Sequence, residues 1–116
     1  MLINADCTLY CMDGSGYKRQ VLEGVYWADT TACAAQKSGV SDNTKAVLYI
    51  QGRMLPPMEP MRDIVVKGIC TADLSGTEAE VSAKVKELRT RERCYCVLSV
   101  SDYSFGGLPH FEIALL

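Results

Sequence analysis

Asp63-Ile64-Val65-Val66-Lys67-Gly68-Ile69-Cys70 is a short, almost unbroken apolar run with β-branched residues at its centre. A proline- and methionine-rich stretch precedes it and polar turn residues follow it. The run is too short for a typical helix, and Pro60 just upstream disfavours helical backbone before it. It reads as a strand buried on both faces, which other strands must close around. The expectation is therefore a mainly β domain.

Upstream lies Arg53-Met54-Leu55-Pro56-Pro57-Met58-Glu59-Pro60-Met61-Arg62, whose three prolines exclude a helix or a central strand. Its apolar side chains either drape over the domain or serve a partner, since thioethers suit adaptable surfaces. Met54, Leu55, Pro56, Pro57, Met58 and Met61 are the candidate subunit-contact residues. Before this loop, Lys45 to Gln51 reads as a strand that is apolar on both sides and stopped by Gly52. The segment from Ala28 to Asn43 is small and polar, with a weak strand around Thr31–Gln36.

At the start of the chain, Ile3, Ala5, Cys7, Leu9 and Cys11 alternate with Asn4, Asp6, Thr8 and Tyr10, as in a half-buried strand. Met12-Asp13-Gly14-Ser15-Gly16 supplies a turn. A second strand runs from Tyr17 to about Trp27, with Tyr17, Val21, Val25 and Trp27 on one face and Gly24 marking a bulge.

Downstream of the central run, Thr77 and Glu80 form a T-x-x-E capping box that opens a helix to about Arg91. Val81, Val85 and Leu88 make one narrow stripe, and Glu80 and Lys84 stand four residues apart. Arg89, Arg91 and Arg93 match the negative end of the helix dipole, and a phosphate-contacting patch is the sharper alternative. Arg93 to Ser101 reads as a strand with Cys94, Cys96, Leu98 and Val100 inward. A loop with Gly106-Gly107 and Pro109 then leads to His110–Leu116, where Phe111, Ile113 and Leu115 alternate. The sum is one domain over residues 1–116. It is a β-barrel or sandwich of six to seven mostly antiparallel strands with one helix near 77–91.

Composition narrows the function. With 116 residues and 48% hydrophobic content, the chain can build a core without disulfides or metal. A net charge of −2 gives no electrostatic reason to expect nucleic acid as the main partner. Tyr17, Tyr26, Trp27, Tyr49, Tyr95, Tyr103 and Phe105 offer stacking faces, but acids interrupt the basic residues. No apolar stretch reaches the length of a membrane span, and the first residues lack the pattern of a secretory signal, so cytosolic synthesis is expected.

The six cysteines are spaced C-x3-C and C-x-C with two single ones, and there is one histidine. They read as small buried hydrophobes ahead of a metal site or disulfides. His110 could meet Asp102, Cys94 or Cys96 across the last hairpin, but a rim histidine is the simpler reading. No catalytic constellation, cofactor site or metal site emerges.

The ordered series Asn4-Ala5-Asp6-x-Thr8-Leu9-Tyr10, Gly24-Val25-x-Trp27, Val47-Leu48-Tyr49-Ile50, Asp63-Ile64-Val65-Val66-Lys67-Gly68 and Pro109-His110-Phe111-Glu112-Ile113 covers nearly the whole chain. It resembles a family of small head and head–tail joining proteins from tailed phages and prophages of Gram-positive bacteria. Gln51 departs from the family's pattern, where a proline is usual.

The resemblance implies a β-barrel or sandwich that forms a ring below the portal, between capsid and tail, as part of the virion. It implies no cofactor, no membrane, and partners that are other copies of the chain and the portal. The runner-up is a small β-barrel binding module for single-stranded nucleic acid or a small ligand.

Overall fold

The computed structural model describes residues 3–14, 16–29, 44–52, 54–55, 57–91 and 93–116. The weak strand expected near Thr31–Gln36, and Cys33 with it, lie outside the described residues. The elements are β1 (Ala5–Asp13), β2 (Gly16–Asp29), β3 (Ala46–Gln51), β4 (Ile64–Lys67), α1 (Glu78–Arg91), β5 (Cys94–Tyr103) and β6 (His110–Leu115). The strands close into an antiparallel barrel in the order β1-β2-β3-β6-β5-β4, with β4 returning to β1. Closure settles barrel over sandwich.

The run at 63–70 does sit at the centre, but its strand is only Ile64–Lys67. Gly68 ends it with a left-handed φ of 89°, which a β-branched residue would resist, and Ile69 turns out to solvent at 57% exposure. Val65 faces the barrel interior with Cys7, Leu9, Val25, Trp27, Leu48, Val97 and Ile113. Ile64 and Val66 face outward into a second cluster with Tyr10, Cys70, Leu74 and Leu88. A strand with an apolar layer on each side is apolar throughout, as expected.

β1 corrects the half-buried reading. Cys7, Thr8, Leu9 and Tyr10 are all fully buried, because α1 and the segment before it cover the outer face. The polar positions fit there by bonding backbone. Thr8 Oγ1 donates to Gly68 O at 2.9 Å and accepts from Cys70 N at 2.8 Å, and Tyr10 Oη donates to Ala72 O at 2.8 Å.

Two bulges correct the face assignments. Ala5 pairs with Val25 but Cys7 pairs with Leu22, so β2 carries one extra residue around Gly24, where φ is 80°. Asp6 Oδ1 accepts the Gly24 N–H at 3.0 Å, and Asn4 exchanges two bonds with the Trp27 backbone, at 2.7 and 2.9 Å. Tyr17 and Val21 therefore point outward with Thr8, while Val25 and Trp27 point inward.

A second register shift lies between Val97 and Ser99. Ahead of it, Tyr95 and Val97 face the interior and Cys94 packs under α1, the reverse of the expected facing. Val100, beyond the shift, faces inward as expected.

α1 begins where the capping box sets it. Thr77 Oγ1 accepts the Glu80 N–H at 3.3 Å, and Glu80 Oε1 accepts the Thr77 hydroxyl at 2.9 Å and its N–H at 3.4 Å. Val81 and Leu88 are buried and Val85 packs beside them. Lys84 does not reach Glu80: its Nζ donates to Ser75 O at 2.7 Å, satisfying the loop that leads into the helix.

Candidate functional site

Strand direction places three connections at one end of the barrel. β1 and β5 run toward that end, β3 ends there, and β2, β4 and β6 run away from it. The β1–β2 turn, the β3–β4 loop and the β5–β6 hairpin loop consequently share it. β3 and β4 are three strands apart in the barrel order, so the connection between them crosses the mouth.

The crossing loop divides its apolar side chains. Leu55 and Met58 are half-buried and pack against the barrel core, closing the mouth. Met54 is 88% exposed and Met61 63% exposed, and Pro57 is exposed as well. Pro56 lies outside the described residues. The five described candidate contact residues are thus not one surface: Leu55 and Met58 belong to the plug.

Asp63 pins the loop. Its carboxylate is fully buried and accepts Met12 N–H at 2.9 Å and Glu59 N–H at 2.7 Å. Arg62 meets it with a two-pronged pair, both bonds at 2.9 Å. Burial pushes the carboxyl up, but the bonds from Arg62, Met12 and Glu59 outweigh this and hold it below the usual aspartate value. The residue read as the start of a strand is in fact the knot joining β1, β4 and the loop. The sequence offers one signal for it, an acid at the edge of an otherwise apolar run.

The β5–β6 hairpin adds more exposed apolar surface. Tyr103 is 44% exposed, Phe105 77% and Leu108 85%. Gly52 N–H donates to Pro109 O at 3.0 Å, so the hairpin and the start of the crossing loop adjoin, enclosing a cleft of about 490 Å³ beside Leu108 and His110.

His110 does not meet Asp102, Cys94 or Cys96. It stacks on Tyr103 at 5.0 Å, its Nε2 lies 3.1 Å from Glu112 Oε2, and its Nδ1 lies 2.9 Å from Leu108 O. The Leu108 carbonyl and Glu112 raise its pKa above the ordinary histidine value.

A groove lies between α1 and the β1–β2 hairpin, about 330 Å³ in volume. Met12, Tyr17, Val81 and Val85 form its floor, with Lys86 and Arg89 on the rim and Glu78 and Ser82 completing the lining. Tyr17 is fixed by donating its hydroxyl to Arg62 O at 2.9 Å.

The remaining arginines of the run have partners: Arg91 lies 3.7 Å from Glu87, and Arg93 reaches Asp29 at 3.4 Å and Tyr95 Oη at 3.2 Å.

Cys7, Cys11, Cys70, Cys94 and Cys96 are free thiols. Burial, aided by Asp6, pushes Cys7 up to about 12, and burial also raises Cys11. Among the described residues, no three of His, Cys, Asp or Glu gather closely enough to hold a metal ion. No helix among them is long and apolar enough to cross a membrane.

Of the seven aromatics available for stacking, Trp27 and Tyr49 are buried and Tyr95 packs on the core. Tyr17 and Tyr26 are half-buried, which leaves Tyr103 and Phe105 open.

Residues 2–114 match a family described as a family of unknown function, DUF6751. The chain belongs to that family. No curated protein and no solved structure matches it.

Proposed function

We propose that this DUF6751 member is a structural subunit of a phage or prophage virion, a head–tail connector component that assembles as a ring with copies of itself and with the portal. The observation that carries this is the exposed apolar surface at one end of a barrel with no open seam. Met54, Phe105 and Leu108 are each more than three-quarters exposed, on two adjoining loops. Large apolar side chains gathered on a surface otherwise rich in charge mark a contact site. The Arg62–Asp63 pair and the Leu55–Met58 plug hold the crossing loop on the barrel, and the Gly52–Pro109 bond ties the hairpin loop to it, so a partner would meet a preformed surface.

The resemblance to head–tail joining proteins supplies the class of assembly. On this reading the chain contributes contact surface and no chemistry, is made in the bacterial cytoplasm, and ends in the virion.

Sedimentation velocity of the purified chain, alone and with portal rings, tests it. Association in either sample is expected. A monomer in both would contradict the assignment.

A second reading has one observation in its favour. The cleft beside Gln51, Gly52, Leu108, Pro109 and His110 is large enough for a small apolar ligand, as in a binding module. Saturable binding of an apolar dye, abolished by Leu108→Ser, would favour that module.

A further inference from the structure

The apolar groove and the hairpin tip have opposite shapes and, on balance, opposite charges. The groove under α1 has an apolar floor, and the charged side chains lining it are Lys86, Arg89 and one acid, Glu78, so its balance is basic. The tip presents Phe105 and Leu108, which are among the most exposed large apolar side chains of the described residues. Asp102 stands at the base of the tip, exposed, with its carboxylate accepting the Ser104 N–H at 2.8 Å. That bond fixes the turn after β5 and holds an anion beside the apolar knob. Across the hairpin, Glu112 is already matched by His110.

We infer that the β5–β6 hairpin tip of one copy docks in the α1 groove of the next, Phe105 and Leu108 entering the groove and Asp102 facing Lys86 and Arg89. The occupant is another copy because one chain carries both the knob with its acid and the slot with its bases. A contact between two different surfaces of the same chain is heterologous, and it closes into a ring when the rotation per step divides a full turn. The inference rests on the ring-subunit reading and supplies its interface.

The Tyr17 hydroxyl bond and the buried Val81 keep the groove formed in the free subunit, so docking buries apolar surface without first ordering the slot. Charge across the contact sets which tip enters which groove.

Four samples test it by sedimentation velocity, with portal rings added if the parent chain needs them to associate. They are the parent, a tip variant (Phe105→Ser with Leu108→Ser), a groove variant (Lys86→Glu with Arg89→Glu), and an equimolar mixture of the two variants. All four substituted side chains are exposed, so thermal melting of each variant is expected to match the parent. Each variant alone is expected to associate at least ~10-fold more weakly. The mixture is expected to give a dimer and nothing larger, because one intact groove and one intact tip remain between two chains.

Variants that associate as the parent does would overturn this interface and leave the ring reading standing. Defective variants whose mixture stays monomeric would also overturn it, since tip and groove would then meet different partners. A parent that is monomeric with and without portal rings would overturn both readings.

Discussion

Ile64-Val65-Val66 in β4 and Phe105 and Leu108 in the β5–β6 loop are comparably apolar, yet the first three are at most 2% exposed and the other two at least 77%. Cover accounts for the difference. β4 lies between the barrel interior and α1, so each of its side chains meets an apolar layer whichever way it points. The hairpin tip extends past the end of β4's pairing with β5, where neither layer reaches. Apolar residues of the first kind hold the fold together, and those of the second kind are free to hold another molecule.

Substitutions can break that contrast, and the largest effect belongs at its buried extreme. Val65→Asp places an unpaired charge inside the barrel and is expected to cost on the order of 4 kcal/mol or more, read by chemical denaturation. A variant that melts like its parent would mean the two-layer strip is not the core.

Asp63→Asn comes next, at about 1–3 kcal/mol, because it removes the charge that answers Arg62 and weakens the bonds to Met12 and Glu59. The pH dependence has a definite sign. The folded state holds Asp63 below its ordinary value of about 3.9, so its contribution is complete above that pH and fades as pH falls through the lower folded value. Denaturation across this acid range should show parent and Asn variant converging. A constant gap between them would remove Asp63 from the account.

Met58→Asp tests the boundary between the two regions. Met58 is half-buried against the core, so a loss of about 1–2 kcal/mol is expected along with any loss of contact. Unchanged stability would return the whole 54–61 loop to the contact surface.

The smallest effect lies at the exposed extreme: Leu108→Ser should change stability by no more than about 0.5 kcal/mol in a thermal melt. A larger loss would mean the tip is packed in solution.

Much of this arrangement was legible in the sequence, and two of the failures share a cause. The continuous run at 64–67 gave the doubly covered strand, the alternation of Phe111, Ile113 and Leu115 gave an interior face, and Thr77 with Glu80 placed the helix start. Alternation fails when the chain slips by one residue, because every later side chain changes face. Both mistaken strands contain such a slip, at Gly24 in β2 and beside Leu98 in β5. Gly24 announced its bulge, but nothing in Val97-Leu98-Ser99 did, so Cys94 was read as facing the wrong layer.

β1 misled for another reason. Thr8 and Tyr10 suggest a wet face until partners sixty residues away, at Gly68, Cys70 and Ala72, are seen bonding them. Asn4, Asp6 and Asp63 likewise bond backbone groups, at Trp27, Gly24, and Met12 with Glu59, so these polar side chains serve the bulge and the loop crossing of the barrel. The exposed apolar end was half visible: Met54 and Met61 stood out by composition and Phe105 as an aromatic with a free face, whereas Leu108 was indistinguishable from a hairpin's ordinary residues until its exposure was known.

Amide hydrogen exchange on the chain before and after association tests the division between covered strip and open end most directly. Cys7–Tyr10 and Ile64–Val66 should be the slowest amides in both states, while residues 105–108 should exchange freely in the monomer and become protected on association. Protection that appears elsewhere and leaves 105–108 unchanged, or rapid exchange across β4 in the free chain, would contradict the account.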